Sequence, residues 1–191
     1  MLFRGNAAYS NSYLLNREFE CIGRDLRAST MSDHTYYGFS PHISNLGRAM
    51  ELFSDFFLEP TFPEIELERG IIFEEYLEDL NEKGVDVDVN NLACKLLYPE
   101  DALAWPTIGT EKSIKSIRVE TLKKQYKKYY IPGNMILVGA GCVDHEVLLG
   151  YAGKYFSRLI GKSAIPPDHF NGNVNEAQAQ PQLLFQYDSD S

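Results

Sequence analysis

The chain is 191 residues long, which suits one domain, or one domain with part of a second. Its 44% hydrophobic residues, including 12 Tyr and 11 Phe, suffice for a packed core and argue against disorder. The formal net charge of -9 argues against nucleic acid and an anionic membrane surface as partners. Three widely separated cysteines form no Cys-x-x-Cys pair, which argues against a disulfide framework and a thiolate zinc site. They favour a reducing compartment, and we expect a cytoplasmic protein.

The first five residues resemble the inside of a helix rather than its start. No capping residue precedes Met1, and Leu2 and Phe3 run into Arg4 and a Gly5 that is suited to end a helix. We therefore expect the helix to begin before Met1, so that the chain is an N-terminally truncated domain.

Hydrophobic periodicity and turn residues predict the elements that follow. Helices are predicted at residues 10–21, 44–58, 64–82, 88–97, 119–130 and 144–159. Strands are predicted at residues 26–31 and 35–39, and an apolar run predicts a buried strand at residues 135–142. The elements interleave without a strict strand–helix–strand rhythm, so we predict an α+β fold.

Three segments follow from this pattern. Residues 1–163 are predicted to form one domain, and residues 164–181, rich in Pro, Asn and Gln, a linker. Residues 182–191 are predicted to be the start of a further strand, cut short.

The predicted helix at residues 64–82 carries two glutamates in register. Glu68 and Glu75 are seven residues apart and differ by only about 20° around the helix, whereas Glu74 lies roughly 100° from Glu75 toward solvent. Glu68 and Glu75 are predicted at the edge of an apolar arc, half turned toward the core. That arc contains Ile65, Ile72, Phe73, Tyr76, Leu77 and Leu80. Two readings stay open: the carboxylates share a cation such as a metal, or they belong to a solvated acidic face.

No other motif completes a metal site. None of the four histidines has a ligand-spaced partner, and the chain contains no zinc-binding histidine motif. A catalytic zinc site needs about three protein ligands, which the chain does not supply by itself. A row of lysines in the helix at 119–130, here called the lysine face, is either solvated or attracts an acidic surface. It consists of Lys123, Lys124, Lys127 and Lys128.

Several short runs, taken in order, resemble the insulinase/pitrilysin family of zinc peptidases, which includes the mitochondrial processing peptidase. Met-Leu-Phe-Arg-Gly at 1–5 resembles the stretch that follows the family's inverted His-x-x-Glu-His motif. Gly-Arg-Asp-Leu-Arg-Ala-Ser-Thr at 23–30 resembles its Gly-Gly-x-x-Asn-Ala-x-Thr strand, and Glu-Arg at 68–69 with Glu-Glu at 74–75 resembles its acidic helix. Pro-Thr-Ile-Gly at 106–109 and Tyr-Ile-Pro-Gly-Asn at 130–134 resemble later family blocks.

The resemblance implies roles for individual residues. Glu75 corresponds to the third zinc ligand, and the catalytic set includes Glu68, which would orient or tune the residues around the metal. Two histidines and a general-base glutamate would precede Met1, so this chain would bind zinc poorly or not at all and would be inactive alone. Helices packed on a mixed, mainly antiparallel sheet are the implied fold.

The resemblance also implies a substrate strand. Arg27, Ala28, Ser29 and Thr30 would form an edge strand to which an extended peptide substrate adds by backbone pairing. The chain departs from the family here, because Arg24 replaces a Gly and Arg27 replaces an Asn. These arginines would select acidic peptides or mark a divergent subunit.

The implied function is that of a zinc-dependent endopeptidase domain that works with a second homologous half or subunit. The alternative is a non-catalytic partner or scaffold subunit of a complex of the same family.

Overall fold

The computed structural model describes residues 1–24, 26–99 and 101–159. Its strands are β1 (Arg27–Thr30) and β2 (Thr35–Gly38). Its α-helices are α1 (Ser12–Ile22), α2 (Leu46–Phe56), α3 (Ile65–Glu78), α4 (Val89–Leu97), α5 (Glu111–Ser116), α6 (Val119–Tyr129) and α7 (His145–Phe156). The predicted linker at 164–181 and the strand predicted from residue 182 lie outside the described residues.

Side-chain caps begin three of the six predicted helices. Asn11 accepts a hydrogen bond from the Leu14 backbone amide at 3.0 Å and so begins α1, which ends at Gly23 as predicted. Asp88 and Asp144 cap α4 and α7 in the same way. Helix α5 was not predicted, although a reciprocal Thr110–Ser113 capping box forms its first turn.

A short hairpin forms the sheet in the described part of the chain. β1 and β2 pair as a two-stranded antiparallel sheet, and the Met31 amide donates to the His34 carbonyl at 2.8 Å in the turn. Together with the seven α-helices of the described residues, this sheet confirms the predicted α+β class.

The predicted buried strand at residues 135–142 is wrong. In the described residues no strand pairs with it, and the side chains of Ile136 and Val138 are 92% and 77% exposed. Met135 packs against the core, and Leu137 is half-buried, so only alternate side chains are covered. An apolar run signals burial only where neighbouring strands cover both faces, and among the described residues no strand lies beside this one.

The chain divides into two compact units. In the described residues, unit 1 comprises 1–24, 26–29, 35–65 and 118–159, and unit 2 comprises 30–34, 66–99 and 101–117. The boundaries expected from the sequence, with one domain over residues 1–163, stay a prediction. No helix in the described residues is long and apolar enough to cross a lipid bilayer.

Unit 1 is built around an aromatic core. The side chain of Phe56 is completely buried, and its ring centroid lies 4.9–6.3 Å from those of five other rings. The buried residues that pack together in this cluster are Leu2, Leu15, Phe19, Leu52, Phe56, Phe57 and Phe62. Leu2 belongs to a single 3₁₀ turn that ends at Gly5, so Gly5 does end a helical segment, though a 3₁₀ one.

A buried asparagine holds the N-terminal segment on this core. Asn6 is 2% exposed, and its side-chain amide donates to the Asp55 carbonyl at 2.7 Å. Its side-chain oxygen accepts from the backbone amides of Ala8 and Tyr9. Because every polar group of this side chain is used, its burial carries no unmet hydrogen-bonding cost.

Tyr37 makes unit 1 sensitive to alkaline pH. Burial first, and then the Tyr130 hydroxyl at 2.8 Å, raise the pKa of Tyr37 above its usual value. The folded chain therefore holds this proton where the unfolded chain releases it, so stability is intact below pH ~10 and falls above it. We expect the free energy of unfolding to fall by about 1.4 kcal/mol per pH unit for this group above that pH.

The Tyr37→Phe variant should show a shallower alkaline loss in urea unfolding measured between pH 9 and pH 11. Tyr13→Phe is the control, because Tyr13 is 71% exposed. An identical alkaline slope in Tyr37→Phe and wild type would contradict the assignment.

Candidate functional site

The two glutamates singled out by their spacing both lie on α3. This helix ends at Glu78, four residues earlier than predicted, because the following residues turn back on themselves. Leu80 and Asp86 form an isolated bridge, and Gly84 adopts a φ of 73° between them. None of the side chains of α3 is fully buried.

The seven-residue spacing separates Glu68 and Glu75 by about 10 Å along the axis, on nearly one side of the helix. Glu68 is half-buried as expected, whereas Glu75 is exposed rather than half turned toward the core. Leu77, assigned to the apolar arc, is also exposed, at 43%. Ile71, one turn before Glu75 on the same side of the helix, is an exposed apolar residue, so the Glu75 carboxylate stands on an open, partly apolar face.

Arg69, about 100° around the helix from Glu68, holds α3 within unit 2. Its guanidinium donates to the Ile114 carbonyl at 2.5 Å and to the Ile117 carbonyl at 2.7 Å. It also pairs with Glu66 at 3.1 Å, and its side chain is only 19% exposed. The two carbonyls lie at the end of α5, where a helix leaves such groups without intrahelical donors. Arg69 therefore holds the helix that carries Glu68 and Glu75, a role that was not predicted from the sequence.

Replacing Arg69 with alanine should lower the free energy of unfolding by about 2–3 kcal/mol, because two carbonyls lose charged hydrogen-bond donors. Arg69→Lys should recover part of the loss, since one ammonium keeps the charge without the planar fork. Urea unfolding measures both variants. A change below about 0.5 kcal/mol in Arg69→Ala, as at an ordinary surface position, would sink this role.

The four residues predicted to receive a substrate are all in β1. Arg27, Ala28, Ser29 and Thr30 are exposed, and they pair with β2 along one edge. In the described residues no third strand pairs with β1. The other edge of β1 is thus of the kind to which an extended peptide adds a strand.

Three aspartates, Asp79, Asp86 and Asp88, lie close together in the segment between α3 and α4. Burial first, and then the charges of Asp88 and Asp86, raise the pKa of Asp79. Lys95 binds Asp86 at 2.7 Å, and Asp88 caps α4. This cluster is explained by helix capping and an ion pair, so it requires no bound metal.

The described residues do not assemble a complete metal site. No group of three His, Cys, Asp or Glu side chains within them is arranged to hold a metal ion. Glu75 is a suitable single ligand, but a catalytic zinc needs about three from the protein. The residues described here therefore do not fit a zinc ion by themselves.

Family models match almost the whole chain. One described as insulinase, peptidase family M16, matches residues 1–111, and one described as peptidase M16 inactive domain matches residues 116–188.

Curated relatives agree with these models. The chain is 34% identical over 151 residues to the mitochondrial-processing peptidase subunit beta of Saccharomyces cerevisiae, covering 78% of this chain and 32% of that protein. For the same subunit of Bos taurus the identity is 30% over 181 residues, covering 91% and 36%. An uncharacterized zinc protease of Bacillus subtilis is 28% identical over 150 residues, covering 78% and 36%. The chain thus spans about a third of the length of these relatives.

Solved structures share the fold. A protease from Helicobacter pylori superposes with a TM-score of 0.75 at 22% identity, covering 87% of this chain and 41% of that one. A peptidase M16 inactive domain from Pseudomonas fluorescens gives 0.74 at 22% identity, covering 86% and 40%. Because the M16 model over residues 1–111 covers more than half of the 191 residues, the chain belongs to the insulinase family of peptidases, family M16.

Proposed function

We propose that this chain is part of a zinc-dependent endopeptidase, in which Glu75 is one zinc ligand and Glu68 supports it. The observation that carries the proposal is the placement of both glutamates one helical repeat apart on α3, inside the matched M16 segment. In such enzymes zinc activates a water molecule for attack on the peptide carbonyl. The remaining ligands and the general base would come from outside the described residues.

Relatives support the zinc chemistry by name. Several are described as zinc proteases, and others as the beta subunit of a processing peptidase. Since the chain spans about a third of their length, the activity, the zinc and a second homologous half or subunit belong to our proposal for the whole protein. We keep a reducing, cytoplasmic location as part of that proposal, because Cys21, Cys94 and Cys142 are free thiols.

The proposed substrate is an extended peptide that pairs with the open edge of β1. Backbone pairing gives affinity without selectivity, while alternate side chains of the strand read the peptide sequence. Arg27 is exposed at the start of β1, where a cation favours a nearby carboxylate. We therefore propose that peptides with an acidic residue at the matching position are preferred.

The Arg27→Asn variant should lose this preference. Two peptides are compared that differ by one Glu→Gln change. The preference for the Glu peptide, measured as its kcat/KM or its affinity (1/Kd) relative to that of the Gln peptide, should fall about fivefold, as for the loss of an exposed charge pair. Arg17→Asn, on α1, is the matched control, because Arg17 is an exposed arginine outside β1. An unchanged ratio in Arg27→Asn would show that this residue does not read the substrate.

The function itself is tested by comparing two forms of the protein. One is the 191-residue chain alone, and the other is the protein expressed with any coding sequence that flanks it, together with its homologous half. Zinc content by plasma mass spectrometry and cleavage of an unstructured peptide are measured for both. We expect zinc and cleavage in the second form only. Stoichiometric zinc and cleavage in the 191-residue chain alone would overturn the proposal that the remaining zinc ligands and the general base come from outside the described residues.

A second candidate, the non-catalytic subunit, is favoured by Arg24 and Arg27, which stand where the family pattern has Gly and Asn. A scaffold subunit has no use for a zinc-ligand carboxylate, so the two candidates predict different results at Glu75. If the assembled protein cleaves peptides equally well with and without this carboxylate, the scaffold interpretation holds.

A further inference from the structure

The lysine face of α6 stands on a firmly held helix. The other side of α6 packs on the core of unit 1 through Val119, Leu122 and Tyr126. The Tyr126 hydroxyl donates to the Phe57 carbonyl, and the Tyr126 and Tyr130 rings stack at 5.3 Å. These contacts fix the rotation of α6, so the lysines are held in a defined direction.

The lysine face points to solvent. All four lysines are exposed, and at 100° per residue they occupy an arc of about 140° over two turns. Lys128 lies against the Tyr129 hydroxyl at 2.8 Å. In the described part of the chain, no ion pair joins Lys123, Lys124 or Lys127 to an acidic side chain.

Like charges lie close together on the lysine face. Lys123 and Lys127 are four residues apart, as are Lys124 and Lys128, and like charges at this spacing repel. The four lysines less Glu120 leave a formal charge of +3 on α6, in a chain whose net charge is -9. Within the described residues, unlike Lys123, Lys124 and Lys127, the exposed lysines Lys95 and Lys115 are each paired with a carboxylate. An anionic partner would relieve the repulsion on α6.

We propose that the lysine face is a docking surface for an acidic segment of a partner protein. A protein segment is favoured over a nucleic acid or an anionic bilayer, because those extended polyanions would meet the excess of negative charge on the rest of this chain. A short acidic segment covers only the two turns of α6 that carry the lysines, and charges beyond about 8 Å are screened at physiological salt. Carboxylates spaced one helical turn apart match the spacing of the lysines. This proposal does not depend on the peptidase proposal.

The test uses the full 191-residue chain and a labelled 20-residue helical peptide with glutamates four residues apart. Binding is followed by fluorescence anisotropy at about 50 mM and about 200 mM salt. The variant Lys123→Gln with Lys127→Gln should weaken binding about tenfold at the lower salt. The control Lys83→Gln with Lys112→Gln removes the same charge from two other exposed lysines and should change binding less than twofold.

Circular dichroism checks that both variants keep the fold, as expected for substitutions at exposed positions. The same peptide with glutamine in place of glutamate should not bind. Equal weakening in the two variants would leave only a net-charge effect and overturn the proposal. Lysine-face-dependent binding of a DNA duplex or phosphatidylserine vesicles in preference to the acidic peptide would overturn it as well.

Discussion

Replacing Phe56 with alanine is expected to lower the free energy of unfolding of unit 1 by about 3–5 kcal/mol. The side chain is fully buried, and it contacts the rings of Phe3, Tyr37 and Phe57 at centroid distances of 5.6, 5.3 and 4.9 Å. Truncation removes the apolar area of one ring, and it also leaves a cavity that the surrounding rings cannot fill without leaving their own contacts. Typical domains have only 5–15 kcal/mol in total, so a large unfolded fraction is expected under mild denaturant.

Urea unfolding followed by far-UV circular dichroism measures this effect. Fluorescence of Trp105, the single tryptophan of the chain, is recorded in parallel, because a chain with two compact units need not unfold in one step. Tyr13→Ala is the control, since this exposed aromatic ring should cost less than about 0.5 kcal/mol. If Phe56→Ala and Tyr13→Ala shift the transition equally, the aromatic core does not hold unit 1 together.

Local signals were sufficient to predict most of the helices. Asn11, Asp88 and Asp144 each cap a predicted helix, and these caps act over three residues, so they can be recognised without knowing the fold. The hairpin was predictable for the same reason, because turn chemistry and β-branched residues lie together in the chain. The missed helix α5 also carries such a signal, in Thr110 and Ser113.

Burial depends on distant neighbours and was predicted less well. The apolar run at residues 135–142 is strand-like by composition, yet Ile136 and Val138 are exposed, because no strand lies beside them in the described residues. Leu77 fits an apolar arc by angle, but exposure of a helix side is decided by what packs there. The same limit applies to Glu75, whose angle was predicted and whose exposure was not.

For the candidate site, spacing predicted which residues share a side of α3 but not what holds them there. Glu68 and Glu75 are separated by one helical repeat, which follows from geometry alone. The anchoring of α3 by Arg69 involves carbonyls of α5, some 45 residues later in the chain. A long-range contact of this kind leaves no periodic pattern. The zinc roles themselves remain predictions.

The Glu75→Gln substitution should abolish zinc-dependent cleavage in the assembled protein. Glutamine keeps the shape of the side chain but removes the charge that makes a carboxylate a good zinc ligand. Mutation of a residue that only supports a metal ligand already lowers metal affinity or activity roughly 10- to 100-fold. We therefore expect the cleavage rate to fall by at least about 100-fold when the ligand itself is lost. Zinc content should fall in parallel, which separates a metal effect from a substrate effect.

Glu74 provides a matched control for this experiment. It is an exposed glutamate on the same helix, about 100° from Glu75, so Glu74→Gln makes the same chemical change without facing the same direction. Both substitutions are at exposed positions and should leave the stability within about 0.5 kcal/mol of wild type. If Glu74→Gln keeps zinc and activity while Glu75→Gln loses both, the direction of one carboxylate on α3 decides metal binding. If both variants keep zinc and activity, Glu75 is not a ligand and its alignment with Glu68 reflects only the acidic surface of the helix.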